Sequence, residues 1–272
     1  MTATTLLVCN PHNPLGVCYS KATLLALLEF ARDHGLHYIS DEIYAKSVYG
    51  APETPFISVL ALDLEEVGVD RERVHVVYGM SKDFGANGLR LGCLASFNAG
   101  LLQACGTVGV FSWASSAAEE CWANILADEE FMTSYFASVR SQLEEGWGKV
   151  KAWLEKQGVP YEGAERKGGY GFFLWADFSR WLRPVEGAER GGERILTQRM
   201  LDGGVYLATG EAFGGPNGWY RITFSVAKEV LELGLERLEK VLKAVEDGEE
   251  GGRVELDDGV VLEREIEGLD VE

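Results

Sequence analysis

Apolar and polar positions alternate along the chain in two periods, and the switches between them outline the fold. TTLLVC near the start is a short strand-like run stopped at Asn10-Pro11, and NPHNPLG after it is turn-rich. Ser20 stands as N-cap before KATLLALLEFARDHG, whose apolar spacing and terminal Gly35 predict a helix with a glycine stop. LHYIS predicts a strand, with DEIYA following at once. A polar, proline-containing loop then leads to a helix-like stretch over Ser58 to Val67. VHVVY predicts a buried strand that runs into the glycine-rich loop GMSKDFGANGLR, and LRLGCLASF predicts another strand. From Ala114 to Gln157 the pattern is helical, with a break near Asp128. GGYGFFLWADF is a strand opening on glycines, RILTQRMLDGGVYLA a helix, turn and strand, and WYRITFS a strand. AKEVLELGLERLEKVLKAV is an amphipathic closing helix. Strand and helix alternate first, which predicts an α/β unit with a mainly parallel sheet over residues 1–125. A smaller α+β unit with its connecting helix follows over 126–246.

Composition narrows this picture. The 272 residues are 46% hydrophobic, enough for a substantial core, and no apolar run reaches the ~18 residues of a membrane helix. No basic residue precedes the first apolar run, so no signal peptide is expected there. Five scattered cysteines form no CxxC pair or Cys/His cluster, and reduced thiols in a cytoplasmic protein are the expectation. The net charge of -18 argues against a nucleic-acid or acidic-membrane partner. Much of it is local: Glu246 to Glu272 carries twelve acids against two bases and no aromatic residue. Residues 247–272 are therefore expected to be an acidic, disordered tail.

In open α/β sheets, ligands collect beyond the carboxyl ends of the strands. Three loops leave such ends here, and they carry Asn13, Asp41, Tyr44, Lys82 and Arg90. A loop lysine can form a Schiff base with an aldehyde. Pyridoxal 5'-phosphate needs that lysine and an acid opposite its pyridine nitrogen. Tyr44 and Asn13 can supply donors for the ring hydroxyl, and Arg90 with the glycines suits the phosphate. Other features have plainer readings. His12, His34, His37 and His75 show no metal-ligand spacing, and Trp113, Trp122, Trp147 and Trp153 read as helix packing residues. Tyr78 and Lys82 make the Y-x-x-x-K spacing used by short-chain dehydrogenases, but they straddle a strand end and follow no G-x-G-x-x-G loop.

Four blocks, NPHNPLG, DEIYA, SKDFGANGLRLG and NGWYRITFS, resemble the class I/II aminotransferase superfamily of fold-type I pyridoxal-phosphate enzymes. SKDFGANGLRLG, PNGWYRITFS and KGGYGFFLWADFS are similar to 1-aminocyclopropane-1-carboxylate synthases and their relatives, and the likeness runs from about Thr5 to Val245. The fold it implies is part of that family's mainly parallel large-domain sheet plus the smaller C-terminal domain. The roles it implies are Lys82 as Schiff-base lysine and general base, and Asp41 as partner of the pyridinium. Tyr44 and Asn13 would bond the phenolic oxygen, Ser81 and Arg90 the phosphate, and Arg221 the substrate carboxylate. The resemblance places Lys82 in a buried setting beside the cofactor. It implies an amino-acid substrate, with either transamination or elimination and ring closure as the outcome, and a homodimer or pairing with a related subunit. Two departures stand out. Gly79 occupies a position where the family usually has Ser or Thr, and nothing in the sequence resembles the family's N-terminal part. Beside the enzyme reading, a catalytically inactive family member that acts by association with a partner subunit therefore stays open.

Overall fold

The computed structural model describes residues 3–185 and 187–248. All but the first two residues of the expected acidic tail, Asp247 and Gly248, lie outside the described residues.

The first unit is built on a four-stranded sheet of β1 (Thr5–Cys9), β2 (His37–Asp41), β4 (Val74–Gly79) and β5 (Gly92–Ser96), in the order β1-β2-β4-β5. β1, β2 and β4 run parallel, and β5 is antiparallel to β4. The register pairs Cys9 with Asp41 and Asp41 with Val77, so all three parallel strands leave the sheet at one edge. That edge places the three loops singled out by sequence side by side.

Helix α1 (Lys21–Asp33) starts where Ser20 predicts: the Thr23 N–H donates to Ser20 Oγ at 3.1 Å. Its buried face, Leu24, Leu28 and Ala31, recurs at helical spacing and packs on Val8, Tyr38, Val74 and Val76 of the sheet. The stretch from Ser58 to Val67 is not an α-helix. Only a 3-10 turn forms at Val59–Ala61. Asp63 Oδ1 accepts from the N–H groups of Glu65 (3.1 Å) and Glu66 (3.0 Å), giving the backbone a turn to adopt in place of a helix. Val59, Leu62 and Val67 still reach the core, which is the periodicity the sequence displays.

Helix α2 (Ala99–Gly109), which the pattern did not predict, follows β5 and has no buried residue. Trp113 lies in the loop after it rather than on a helix. The predicted break at Asp128 separates α3 (Ser116–Ala127) from α4 (Glu129–Gln157), and Asp128 Oδ1 caps α4 by accepting from the Phe131 N–H at 2.8 Å. At 29 residues, α4 is about 43 Å long. Its first half meets the lysine loop through Phe136, and its second half buries Val150, Trp153 and Leu154 in the second core.

The glycine-rich segment expected as one strand divides into β6 (Gly168–Tyr170) and β7 (Phe173–Asp177), separated by Gly171 at φ +69°. β6 pairs with β3 (Val48–Gly50), a strand contributed by the first unit. β7 joins β9 (Trp219–Thr223) and β8 (Ala208–Thr209) in an antiparallel sheet ordered β7-β9-β8. Helices α4, α5 (Gly191–Asp202) and α6 (Lys228–Glu246) cover it, with Phe178, Tyr220, Leu196 and Leu238 at the centre of the core.

Candidate active site

At the end of β2 the carboxylate of Asp41 turns the chain by accepting from the Ile43 N–H at 3.1 Å. Burial pushes its carboxyl above the ordinary range, and this one backbone donor offsets only part of that. The sign for stability follows. The folded chain holds a proton on Asp41 at pH values where the unfolded chain has lost it, so stability falls as pH rises above ~3.9 through the folded pKa. Asp41→Asn keeps the acceptor for Ile43 and removes the charge. The ligand-free variant is expected to melt above wild type at neutral pH, with the gap closing below about pH 3.9. Thermal melts across pH check this.

Tyr44 follows in the same turn and is 5% exposed. Its ring meets Phe172 and Phe173 edge-on at 5.3 and 5.5 Å. Burial pushes its hydroxyl up to about 12, against the pull of the Arg221 cation. Lys82 Nζ stands 6.0 Å from the centre of the Tyr44 ring. Lys82 itself is exposed, so the burial implied by resemblance is not supplied by the described residues.

The loop after β1 brings Asn13 to Arg221 on β9: Arg221 Nη1 donates to Asn13 Oδ1 at 2.7 Å. That loop is tied to the second unit by Arg166, whose Nη1 donates to the Gly16 carbonyl at 3.0 Å. The Arg221 guanidinium lies 5.0 Å from the Phe173 ring and 4.8 Å from the Phe213 ring. Its Nε–H is buried without a hydrogen-bond partner among the described residues, and burial pushes its pKa down. Asn13, Tyr44, Lys82 and Arg221 are thus brought together. Ser81 and Arg90 sit on the same loop as Lys82. Ser81 is half-buried, and Arg90 is exposed, with Nη1 donating locally to the Asn87 carbonyl at 2.9 Å. Arg90 adopts φ +54°, the left-handed region, alone among the described non-glycine residues.

Sequence reasoning passed over three residues that shape this site. Glu42, next to Asp41, is buried and accepts from Ser40 Oγ (3.0 Å) and the Val59 N–H (2.9 Å). Phe213 sets its ring 4.8 Å from the Arg221 guanidinium. Asp83 is buried directly after Lys82, and the one acid in the loop GMSKDFGANGLR was the available signal.

Gly79, the departure from the family pattern, has a steric cause. It pairs with Gly92 across β4 and β5, and a Cβ there would lie 2.9 Å from the Leu91 carbonyl oxygen and 3.0 Å from Gly92 Cα. Both obstacles are backbone, so restoring the hydroxyl with Gly79→Ser is expected to destabilise the chain by about 1–3 kcal/mol. Urea titration of the variant beside wild type measures it.

Comparison with known proteins bears on the fold and the family. The chain is 34% identical over 241 residues to a probable aminotransferase, gliI, of Aspergillus fumigatus, covering 87% of this chain and 54% of that protein. It is 32% identical over 245 residues to 1-aminocyclopropane-1-carboxylate synthase 3 of Oryza sativa subsp. japonica, covering 86% and 53%. Among solved structures, an aromatic aminotransferase from Pyrococcus horikoshii OT3 superposes with a TM-score of 0.75 at 26% identity, over 89% of this chain and 61% of that one. Aspartate aminotransferase from Thermus thermophilus with maleate superposes with a TM-score of 0.73 at 25% identity, over 88% and 56%. The chain spans about half the length of these curated relatives. The family described as aminotransferase class I and II matches residues 2–238, and the chain belongs to it.

Proposed function

We propose that this chain is the catalytic framework of a pyridoxal-phosphate enzyme acting on an amino acid, as an aminotransferase or an aminocyclopropane-carboxylate-synthase-like lyase, with Lys82 as its reactive amine. Class I and II aminotransferases and the chain's homologues are pyridoxal 5'-phosphate-dependent. The donor set fits that group. Asp41 is a half-buried carboxylate with a raised proton affinity and one backbone donor, and a protonated ring nitrogen would offset its burial. Arg90 offers an exposed guanidinium, suited to a phosphate. When bound, the cofactor supplies an aldehyde carbon for covalent attachment and an electron sink for charge that develops at the substrate α-carbon.

The chain's own residues then divide the work. Lys82 Nζ would hold the cofactor through its aldehyde carbon, with loss of water, and, once the substrate amine displaces it, would take and return the α-proton. Asp41 keeps the ring nitrogen protonated. Tyr44 and Asn13 donate to the ring oxygen; Asn13 Oδ1 already accepts from Arg221, which leaves its Nδ2 as the donor. Ser81 and Arg90 hold the phosphate, and Arg221 orients the substrate through its carboxylate. The observation that carries this reading is the buried, unpartnered Nε–H of Arg221, set beside Asn13 and Tyr44.

The test is the absorbance spectrum of the purified chain mixed with pyridoxal phosphate. A visible band that is present in wild type and absent in Lys82→Ala is the expected result; an equal band in both would overturn the assignment. Product analysis with amino acids then separates keto acids from cyclised or eliminated products.

A second reading has its own observation. Val108 at the end of α2 and Val110, Phe111 and Trp113 just after it are exposed in series, Phe111 at 97%. Apolar exposure of that extent suits a chain that works by association, in the cytoplasm, with a second copy or a related subunit. Family members commonly form dimers. In this reading the motifs are inherited and no band appears.

A further inference from the structure

We propose that Asp83 is the positioning residue for Lys82, fixing the lysine loop against the turn that carries Asp41 and Tyr44; the proposal rests on the assignment of Lys82 as the reactive amine. Asp83 is 1% exposed, and a bare carboxylate in that position would be costly. Three donors offset the burial, and they come from two directions. The Lys46 N–H (2.8 Å) and Ser47 Oγ–H (2.5 Å) belong to the segment that continues from Tyr44. The Tyr78 hydroxyl (2.8 Å) belongs to β4, four residues ahead of Lys82. One side chain thus links the strand that delivers the lysine to the turn that delivers the acid and the phenol.

The backbone around Lys82 is held as firmly. Met80 is buried, and its carbonyl accepts from the Ala86 N–H at 3.1 Å. The Lys82 carbonyl accepts from the Gly85 N–H at 2.8 Å, and the Asp83 carbonyl from the Tyr135 hydroxyl at 3.3 Å. Phe84 stacks on Tyr135 and meets Phe136 edge-on. Between buried Met80 and buried Asp83, Lys82 projects outward, with Nζ on the Tyr44 side. Reaction at an amine depends on such placement, since an ångström of misplacement can cost about a hundredfold.

Two variants separate geometry from charge. In Asp83→Asn the amide oxygen can accept from the Lys46 N–H and the Tyr78 hydroxyl, while its NH2 donates to Ser47 Oγ, because hydroxyls serve in either role. Asp83→Ala leaves all three donors unpartnered. The whole chain is incubated with pyridoxal phosphate, reduced with borohydride, and its modified lysines are counted by mass spectrometry. Wild type is expected to label at Lys82 in preference to exposed Lys21. Asp83→Ala is expected to lose that preference by about tenfold or more, and Asp83→Asn to keep it within about threefold. Melting temperatures are recorded beside the labelling; a fall in melting temperature with the Lys82-to-Lys21 ratio unchanged marks a purely structural role and overturns the proposal. A loss in Asp83→Asn equal to that in Asp83→Ala overturns it too, since charge and not geometry would then be at work. Should Asp83→Ala not fold by near-ultraviolet circular dichroism, Tyr78→Phe and Ser47→Ala each remove one donor, and wild-type ratios in both overturn the proposal. A wild type that labels Lys82 no better than Lys21 overturns the assignment of Lys82 and this inference with it; a wild type that does label it, beside an unaffected Asp83→Ala, overturns this inference alone.

Discussion

Arg221→Ala is expected to weaken binding of a substrate carboxylate by at least about thirtyfold, the lower end of the 2–5 kcal/mol lost when one partner of a buried charge pair is removed. The reasoning starts from what the guanidinium already does. Nη1 is committed to Asn13 Oδ1 at 2.7 Å, while Nε–H is buried with no partner among the described residues. A buried donor without an acceptor costs free energy, so an acceptor that reaches it is favoured. A carboxylate would offset both the open donor and the burial that pushes the arginine's pKa down. Phe173 and Phe213 lie within 5.0 Å of the guanidinium carbon and restrict where it can turn. Arg221→Lys is expected to recover only part of the affinity, since an ammonium cannot make the planar two-point contact. Titration of the pyridoxal-phosphate-loaded chain with amino acids, read by absorbance, gives the dissociation constants. A change of less than about threefold would place the carboxylate elsewhere.

Phe178→Ala is expected to cost about 3–5 kcal/mol, a large share of the 5–15 kcal/mol that holds a typical domain folded. The Phe178 ring is fully buried, meets Tyr220 edge-on at 5.7 Å and lies 5.7 Å from Trp181. Its N–H donates to the Gly218 carbonyl at 2.8 Å, just ahead of β9. The cavity would open against Tyr220, the strand neighbour of Arg221, so carboxylate binding should weaken along with stability. Phe111→Ala removes a ring of the same size from a side chain that is 97% exposed, and is expected to change stability by no more than about 0.5 kcal/mol. Paired denaturant titrations of the two variants read this contrast directly. Equal losses would mean that the second core is not centred on Phe178.

The two variants also mark what a sequence can and cannot convey. Local rules were legible. Ser20 caps α1, Asp128 divides α3 from α4, and the strands that precede the three candidate loops run parallel, as alternation predicts. These depend on neighbours a few residues apart, where the chemistry of a cap or the period of a pattern decides the outcome. The same period misled at Ser58 to Val67, because the side chain of Asp63 offered the backbone a competing turn while the apolar positions still reached the core. The order of the four motif blocks was legible as well, and with it the family and the identity of the residues proposed for the site.

Tertiary structure alone decided how those residues meet. Asn13 and Arg221 are 208 positions apart and become partners only when the loop after β1 is pinned by Arg166 and the second sheet is assembled. Asp83 finds two of its three donors 36 and 37 positions away, so the role proposed for it is not visible in a loop read by itself. Gly79 reads as a missing hydroxyl in sequence, yet the close approach of β5 leaves no room for one. Lys82, expected to be buried, is exposed, because burial depends on which surfaces pack around a loop and not on the loop's own residues. The sequence determined which chemical groups this protein carries and the local elements that bear them. Which groups share a site, and which are left without a partner there, was decided by long-range packing, since those contacts join segments that no local pattern connects.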